Sequence, residues 1–71
     1  MIQIGFYYRA ETPHGVRTIK CMQMDGNGNP YGIYSPSGCI TIGDNQGMVI
    51  PDNSELANQE QINQWEDWYN A

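Results

Sequence analysis

Basic side chains are scarce in this sequence of 71 residues. Arg9, Arg17 and Lys20 are its only bases, against eight acidic side chains, and the formal net charge is −5. Glu11 is the one acid before residue 21, so residues 21–71 hold seven acids and no lysine or arginine. Because nucleic-acid affinity comes mainly from lysine and arginine displacing counterions, we expect no direct binding to nucleic acid. A basic protein surface would be attracted instead.

Long apolar runs are missing as well. No stretch of about 18 apolar residues occurs, and the first residues have neither the charged nor the apolar part of a secretory leader. We therefore expect a cytoplasmic protein that makes no membrane contact. Cysteine is limited to Cys21 and Cys39, too few for a secreted disulfide scaffold, and reducing compartments keep thiols free. We expect these two cysteines not to pair.

Alternating apolar residues predict strands in the first third of the chain. Over residues 2–10 the pattern predicts a strand with one buried face, formed by Ile2, Ile4, Phe6 and Tyr8. A turn at residues 11–15 precedes a second strand over residues 16–24. Ile19 and Cys21 favour one inward face, and Val16, Met22 and Met24 favour the other. The second strand is therefore covered on both faces or contains a bulge, and we favour Ile19 and Cys21 inside.

Turn dipeptides divide the middle of the chain. Asp25-Gly26 and Asn27-Gly28 are strong hairpin signals, and they predict a reversal into a short strand at residues 31–34. Further turns bound two more predicted strands, residues 39–42 with Ile40 and Ile42 inward, and residues 48–50.

A helix is predicted over residues 53–70, which lack glycine and proline. Asp52 and Glu55 resemble a capping box at its start. At about 100° per residue one stripe of this helix is apolar, and it contains Ala57, Ile62, Trp65, Trp68 and Tyr69. The sequence thus predicts a single α+β domain over residues 1–71: a small antiparallel sheet of four to five short strands with one C-terminal helix packed on one face.

Residues with catalytic or metal-binding chemistry form no recognisable constellation. Asp25, Asn27 and Asn29 match the first positions of a calcium loop, but Pro30 and Pro36 stand where glycine and glutamate are needed. His14 is the only histidine, and no fixed partner would make it a catalytic base. We expect a protein that is not an enzyme and that uses no metal or cofactor.

Two sets of side chains are candidates for contact with a partner protein. The acidic set comprises Glu60, Glu66 and Asp67 on the predicted helix, extended by Asp44 and Asp52. The aromatic set comprises Tyr7, Tyr31 and Tyr34, which either supply interface area or cap a small core. Carboxylates along a rigid helix can imitate a row of phosphates, although a solvated helix face is the simpler interpretation.

These observations lead to two hypotheses about function. The first is a small acidic protein-binding inhibitor that blocks a basic nucleic-acid-binding site on its partner. Its analogy with phage-encoded anti-defence proteins, anti-CRISPR proteins among them, rests on size, acidity and the lack of catalytic residues. The alternative is a structural or assembly subunit that forms a homo-oligomer or attaches to a larger particle.

Overall fold

The protein has an α+β fold, as the sequence predicts. The computed structural model describes residues 2–34 and 46–70. Within them lie five antiparallel strands and one helix: β1 Tyr7–Thr12, β2 Gly15–Met24, β3 Pro30–Tyr34, β4 Gln46–Val49, β5 Glu55–Leu56 and α1 Gln59–Tyr69. The five strands form one sheet in the order β4-β3-β2-β1-β5, so β2 lies at its centre.

The N-terminal segment departs from the predicted strand over residues 2–10. Ile2 and Tyr8 are buried, but Ile4 and Phe6 are 56% and 48% exposed, so the prediction of one inward face is wrong for those two. A turn at Gly5, where φ is +90°, separates Ile2 from the strand and interrupts the alternation of side chains. The strand begins only at Tyr7 and continues to Thr12.

Strand β2 confirms the favoured facing, because Ile19 and Cys21 are fully buried. The pairing of β2 with β3 shifts register between Cys21 and Gln23. A bulge shifts the side chains after it by one position, so the register places Met24 on the same face as Cys21. The bulge does not account for the whole second parity, because Val16 lies before it and Val16, Met22 and Met24 are all exposed.

The two faces of the sheet are covered differently. The register pairs Tyr8 with Ile19, and these side chains belong to a buried core that comprises Ile2, Tyr8, Ala10, Ile19, Cys21, Tyr34 and Ile50. The opposite face carries Tyr7, Lys20 and Ile33, which the register also aligns. Helix α1 packs on this second face, so β2 has side chains covered on both sides, as one of the sequence alternatives requires.

The turn between β2 and β3 is held by the Asp25 side chain. Its carboxylate accepts hydrogen bonds from the backbone amides of Asn27 and Asn29, at 2.8 and 2.9 Å. These bonds stabilise the ionised form and lower the pKa of Asp25. The loop that partly matched a calcium motif therefore uses its first carboxylate to fix the hairpin.

The helix begins at Gln59, so the predicted start at residue 53 is wrong. Glu55 and Leu56 instead form β5, which pairs with Arg9 and Tyr8 of β1. Asp52 and Glu55 make no cap; the capping box is formed by Asn58 and Gln61, each of which binds the backbone amide of the other. Sheet pairing thus takes up residues that local helix propensity would have assigned to the first turn.

Some sequence predictions fall on residues outside the described ranges. These are the strand over residues 39–42 with Ile40 and Ile42, the cysteine Cys39 that is expected not to pair with Cys21, and the site residue Asp44. The strand predicted at residues 48–50 is β4, which spans Gln46–Val49, and Ile50 follows it as a buried core residue.

Candidate functional site

Helix α1 is attached to the sheet by an aromatic cluster around Trp65. The indole is 4% exposed, stacks on Tyr69 with ring centres 4.8 Å apart, and meets the ring of Tyr7 edge-on at 5.5 Å. Its Nε1 donates a hydrogen bond of 3.0 Å to the carbonyl oxygen of Ile33 on β3. Trp68 is also buried and packs edge-on against Trp65. The predicted apolar stripe therefore does face the sheet through its tryptophans.

A polar cluster of Tyr7, Lys20 and Glu66 lies beside these rings and connects the helix to the sheet by an ion pair and a hydrogen bond. The Lys20 ammonium lies 5.2 and 5.4 Å from the ring centres of Tyr7 and Trp65 and 3.8 Å from a carboxylate oxygen of Glu66. The Tyr7 hydroxyl donates a hydrogen bond to the same carboxylate. Glu66 therefore contacts the sheet, and its side chain remains partly exposed.

The pKa values of this cluster follow from its contacts. Burial, and then the hydrogen bond to Glu66, raise the pKa of Tyr7. The hydrogen bond from Tyr7 lowers the pKa of Glu66, with a smaller contribution from Lys20 in the same direction. Glu66 is thus held ionised and Tyr7 protonated, a pairing that suits a structural contact between helix and sheet.

The other two bases also have partners inside the fold. Arg9 lies 3.9 Å from the Glu55 carboxylate across the β1–β5 pair. The Arg17 guanidinium donates a 3.0 Å hydrogen bond to the carbonyl oxygen of Val16. Lys20 contacts Glu66 and two aromatic rings, so each of the three bases has a neighbour that it contacts within the fold.

Glu60 and Asp67 are the acids that α1 presents to solvent. They are seven positions apart, which places their Cα atoms about 10 Å from each other along the helix axis. Seven residues are close to two helical turns, so both carboxylates lie on one side of the helix. Asp52 is exposed too, but it lies in the segment before β5 and does not continue this helix face.

The three candidate tyrosines do not form one surface. Tyr7 is half-buried in the cluster under the helix, and Tyr31 is half-buried against Gly47 of β4. Tyr34 is only 2% exposed and belongs to the opposite face, where its hydroxyl lies 3.3 Å from Nδ1 of His14. The core alternative is therefore correct for Tyr34, which leaves Tyr7 and Tyr31 as the partly exposed members of the set.

The structure also contains a groove that the sequence did not reveal. It lies beside β5, has a volume of about 300 Å³, and is lined by Ile2, Gln3, Phe6, Tyr8, Asp52, Ser54 and Leu56. Phe6 is 48% and Leu56 66% exposed. No periodicity could have indicated this groove, because the sequence pattern placed Phe6 in the core and Leu56 in a helix.

Other kinds of site find little support in the described residues. No three histidine, cysteine or acidic side chains within residues 2–34 and 46–70 are grouped so that they could hold a metal ion. Cys21 is a free thiol whose burial raises its pKa. Within residues 2–34 and 46–70, no helix is long and apolar enough to cross a membrane.

Comparisons with known proteins add no relative. The chain matches no protein-family model, and neither the curated proteins nor the solved structures give a match.

Proposed function

We propose that this protein is a small inhibitor without enzymatic activity that binds a basic site on another protein. The observation that carries the proposal is the distribution of its charges. All three bases are engaged by neighbours within the fold, whereas Glu60 and Asp67 face solvent on one side of α1. The charge offered to a partner by this helix face is therefore negative.

The helix that carries Glu60 and Asp67 is fixed against the sheet. Two tryptophans anchor it to the sheet, and a capping box fixes its first turn. The backbone positions of the two carboxylate residues are therefore fixed, and carboxylates at a fixed spacing can occupy the position of phosphates in a basic groove. The partner on this proposal is a nucleic-acid-binding protein or complex, and phage-encoded anti-defence proteins such as anti-CRISPR proteins are inhibitors of the corresponding kind.

Charge reversal on the helix tests the proposal. After the partner is captured from a host lysate and identified by mass spectrometry, its affinity is measured for wild type and for the double variant Glu60→Lys, Asp67→Lys. Both residues are exposed, so circular dichroism should show an unchanged fold. We expect at least about a tenfold loss of affinity at low salt, mainly through slower association. Nucleic acid should compete with wild type for the partner.

A matched control separates the helix face from net charge. Glu11→Lys makes the same change in charge as Asp67→Lys alone, but at an exposed position of β1. If Glu11→Lys weakens binding as much as Asp67→Lys does, only the overall charge matters and the proposed contact is wrong. Equal affinity of wild type and the helix variant at both low and moderate salt would also reject it.

The alternative, a structural or assembly subunit, is favoured by one observation, the exposure of Phe6 and Leu56 side by side at the sheet edge. Sedimentation at increasing protein concentration distinguishes the two functions. Self-association that persists at high salt supports the subunit, because apolar contacts are not screened by ions.

A further inference from the structure

The groove beside β5 lies on the side of the sheet opposite the helix. The register pairs Leu56 with Tyr8, which belongs to the face that carries the buried core, whereas α1 contacts the face of Tyr7 and Lys20. This surface is thus separate from the acidic helix face, and its role does not depend on the function proposed above.

Four of the seven residues that line the groove are apolar or aromatic. Ile2 and Tyr8 are buried, whereas Phe6 and Leu56 keep 48% and 66% of their surface exposed. Large apolar side chains exposed around one depression are typical of binding sites. A volume of about 300 Å³ is enough for one large apolar side chain.

One charged group in the groove indicates what should accompany that side chain. The Ser54 hydroxyl oxygen is buried within the fold and is not accessible to a bound peptide. Among the described lining residues Asp52 alone is charged, and it is exposed. A positive charge next to the apolar anchor would therefore be favoured.

A second groove lies along the same segment, residues 51–55, and it also carries a net negative charge. It has a volume of about 350 Å³, shares Ser54 with the first, and is lined by Arg9, Ala10, Glu11, Val16, Pro51, Asn53, Ser54 and Glu55. Its single base, Arg9, lies against Glu55, which leaves Glu11 as the remaining charge there. This acidic surface would favour a basic residue in a bound peptide and would disfavour an acidic one.

We propose that the groove of Phe6, Leu56, Asp52 and Ser54 binds an extended segment of a partner protein in which an apolar anchor is flanked by lysine or arginine. The anchor packs between Phe6 and Leu56. The flanking base approaches Asp52.

Amide chemical shifts of the isotope-labelled protein test this site with three blocked synthetic heptapeptides. One alternates leucine with lysine, one leucine with glutamate, and one serine with lysine. The leucine–lysine peptide should shift the amide signals of Phe6, Ser54 and Leu56 and bind at least about fivefold more tightly than either of the others. No shift of those signals at millimolar peptide, or equal binding of the other peptides, would overturn the proposal.

Single substitutions assign the binding to the groove. Leu56→Ser should weaken the leucine–lysine peptide roughly tenfold or more, because the anchor loses its apolar wall. Met24→Ser removes a similarly exposed apolar side chain that lines neither groove, and it should change nothing. Asp52→Asn should reduce the preference for lysine over glutamate. If the groove signals instead shift with protein concentration in the absence of peptide, a second copy of the chain fills the groove and the proposal is wrong.

Discussion

Removal of the Trp65 side chain should nearly unfold the protein. The indole is 4% exposed, contacts Tyr7, Trp68 and Tyr69, and donates a hydrogen bond to the Ile33 carbonyl. Trp65→Ala should therefore cost about 3–5 kcal/mol for the lost packing and the cavity. The total free energy of unfolding expected for 71 residues is roughly 4–10 kcal/mol at about 0.05–0.15 kcal/mol per residue. One substitution thus removes a large part of the stability.

A second variant separates packing from hydrogen bonding. Trp65→Phe keeps an aromatic ring but removes the hydrogen bond to the Ile33 carbonyl oxygen. The loss of one hydrogen bond costs about 0.5–1.5 kcal/mol, so this variant should lie between wild type and Trp65→Ala. Gln64→Ala, at an exposed position of the same helix, is the control and should stay within about 0.5 kcal/mol of wild type.

Urea titration followed by circular dichroism at 222 nm measures all three variants without relying on tryptophan fluorescence. A Trp65→Ala protein that stays folded with less than about 1 kcal/mol of lost stability would refute the packing described for α1. The tryptophans would then have to be considered as an exposed binding surface.

Two further predictions concern the helix contact and the sheet. Because the folded-state pKa of Glu66 is lowered, its contribution to stability is present above its ordinary pKa of 4.5 and is lost as pH falls through the folded value. Glu66→Gln should therefore lose less stability than wild type when acid unfolding is followed below pH 4.5. Gly32→Ala should destabilise the sheet by about 1–3 kcal/mol or more in the same urea assay, since the added carbon would clash with the Lys20 carbonyl and lie 2.5 Å from Ile19 Cγ2. Gly26→Ala meets open space and should change little.

Local chemistry explains which parts of the fold the sequence predicts. The strands at residues 16–24 and 31–34 are separated by a hairpin whose turn residues act over a few positions, so their pairing follows from sequence alone. The burial of Trp65 and Trp68 follows in the same way from helical periodicity.

Pairing between distant residues explains the errors. Leu56 pairs with Tyr8, 48 positions earlier, and no local pattern reveals that such a partner will draw residues 55–56 into the sheet. The sequence did contain a signal for the true helix start, since Asn58 and Gln61 have the spacing of a capping box. The Asp52 and Glu55 pair has the same spacing and obscured it.

The candidate site shows the same limit. Counting charges predicts an acidic surface, but it cannot tell that Glu66 contacts Tyr7 and Lys20 while Glu60 and Asp67 stay in solvent. That division depends on how the helix is rotated against the sheet. Likewise, the alternation of apolar residues predicted a core position for Phe6, but the turn at Gly5 interrupts that alternation and Phe6 is exposed.

The attachment of the helix leaves the two sides of the sheet with different chemistry. Lys20 and Glu66 compensate each other inside the contact, so the outer helix face offers Glu60 and Asp67 without a neighbouring base among the described contacts. The opposite side offers Phe6 and Leu56 around a groove. Screening by salt weakens contacts between exposed charges and leaves apolar burial largely intact. The salt dependence of binding to a given partner therefore indicates which side it contacts: a steep loss of affinity indicates the helix face, and a shallow one indicates the groove.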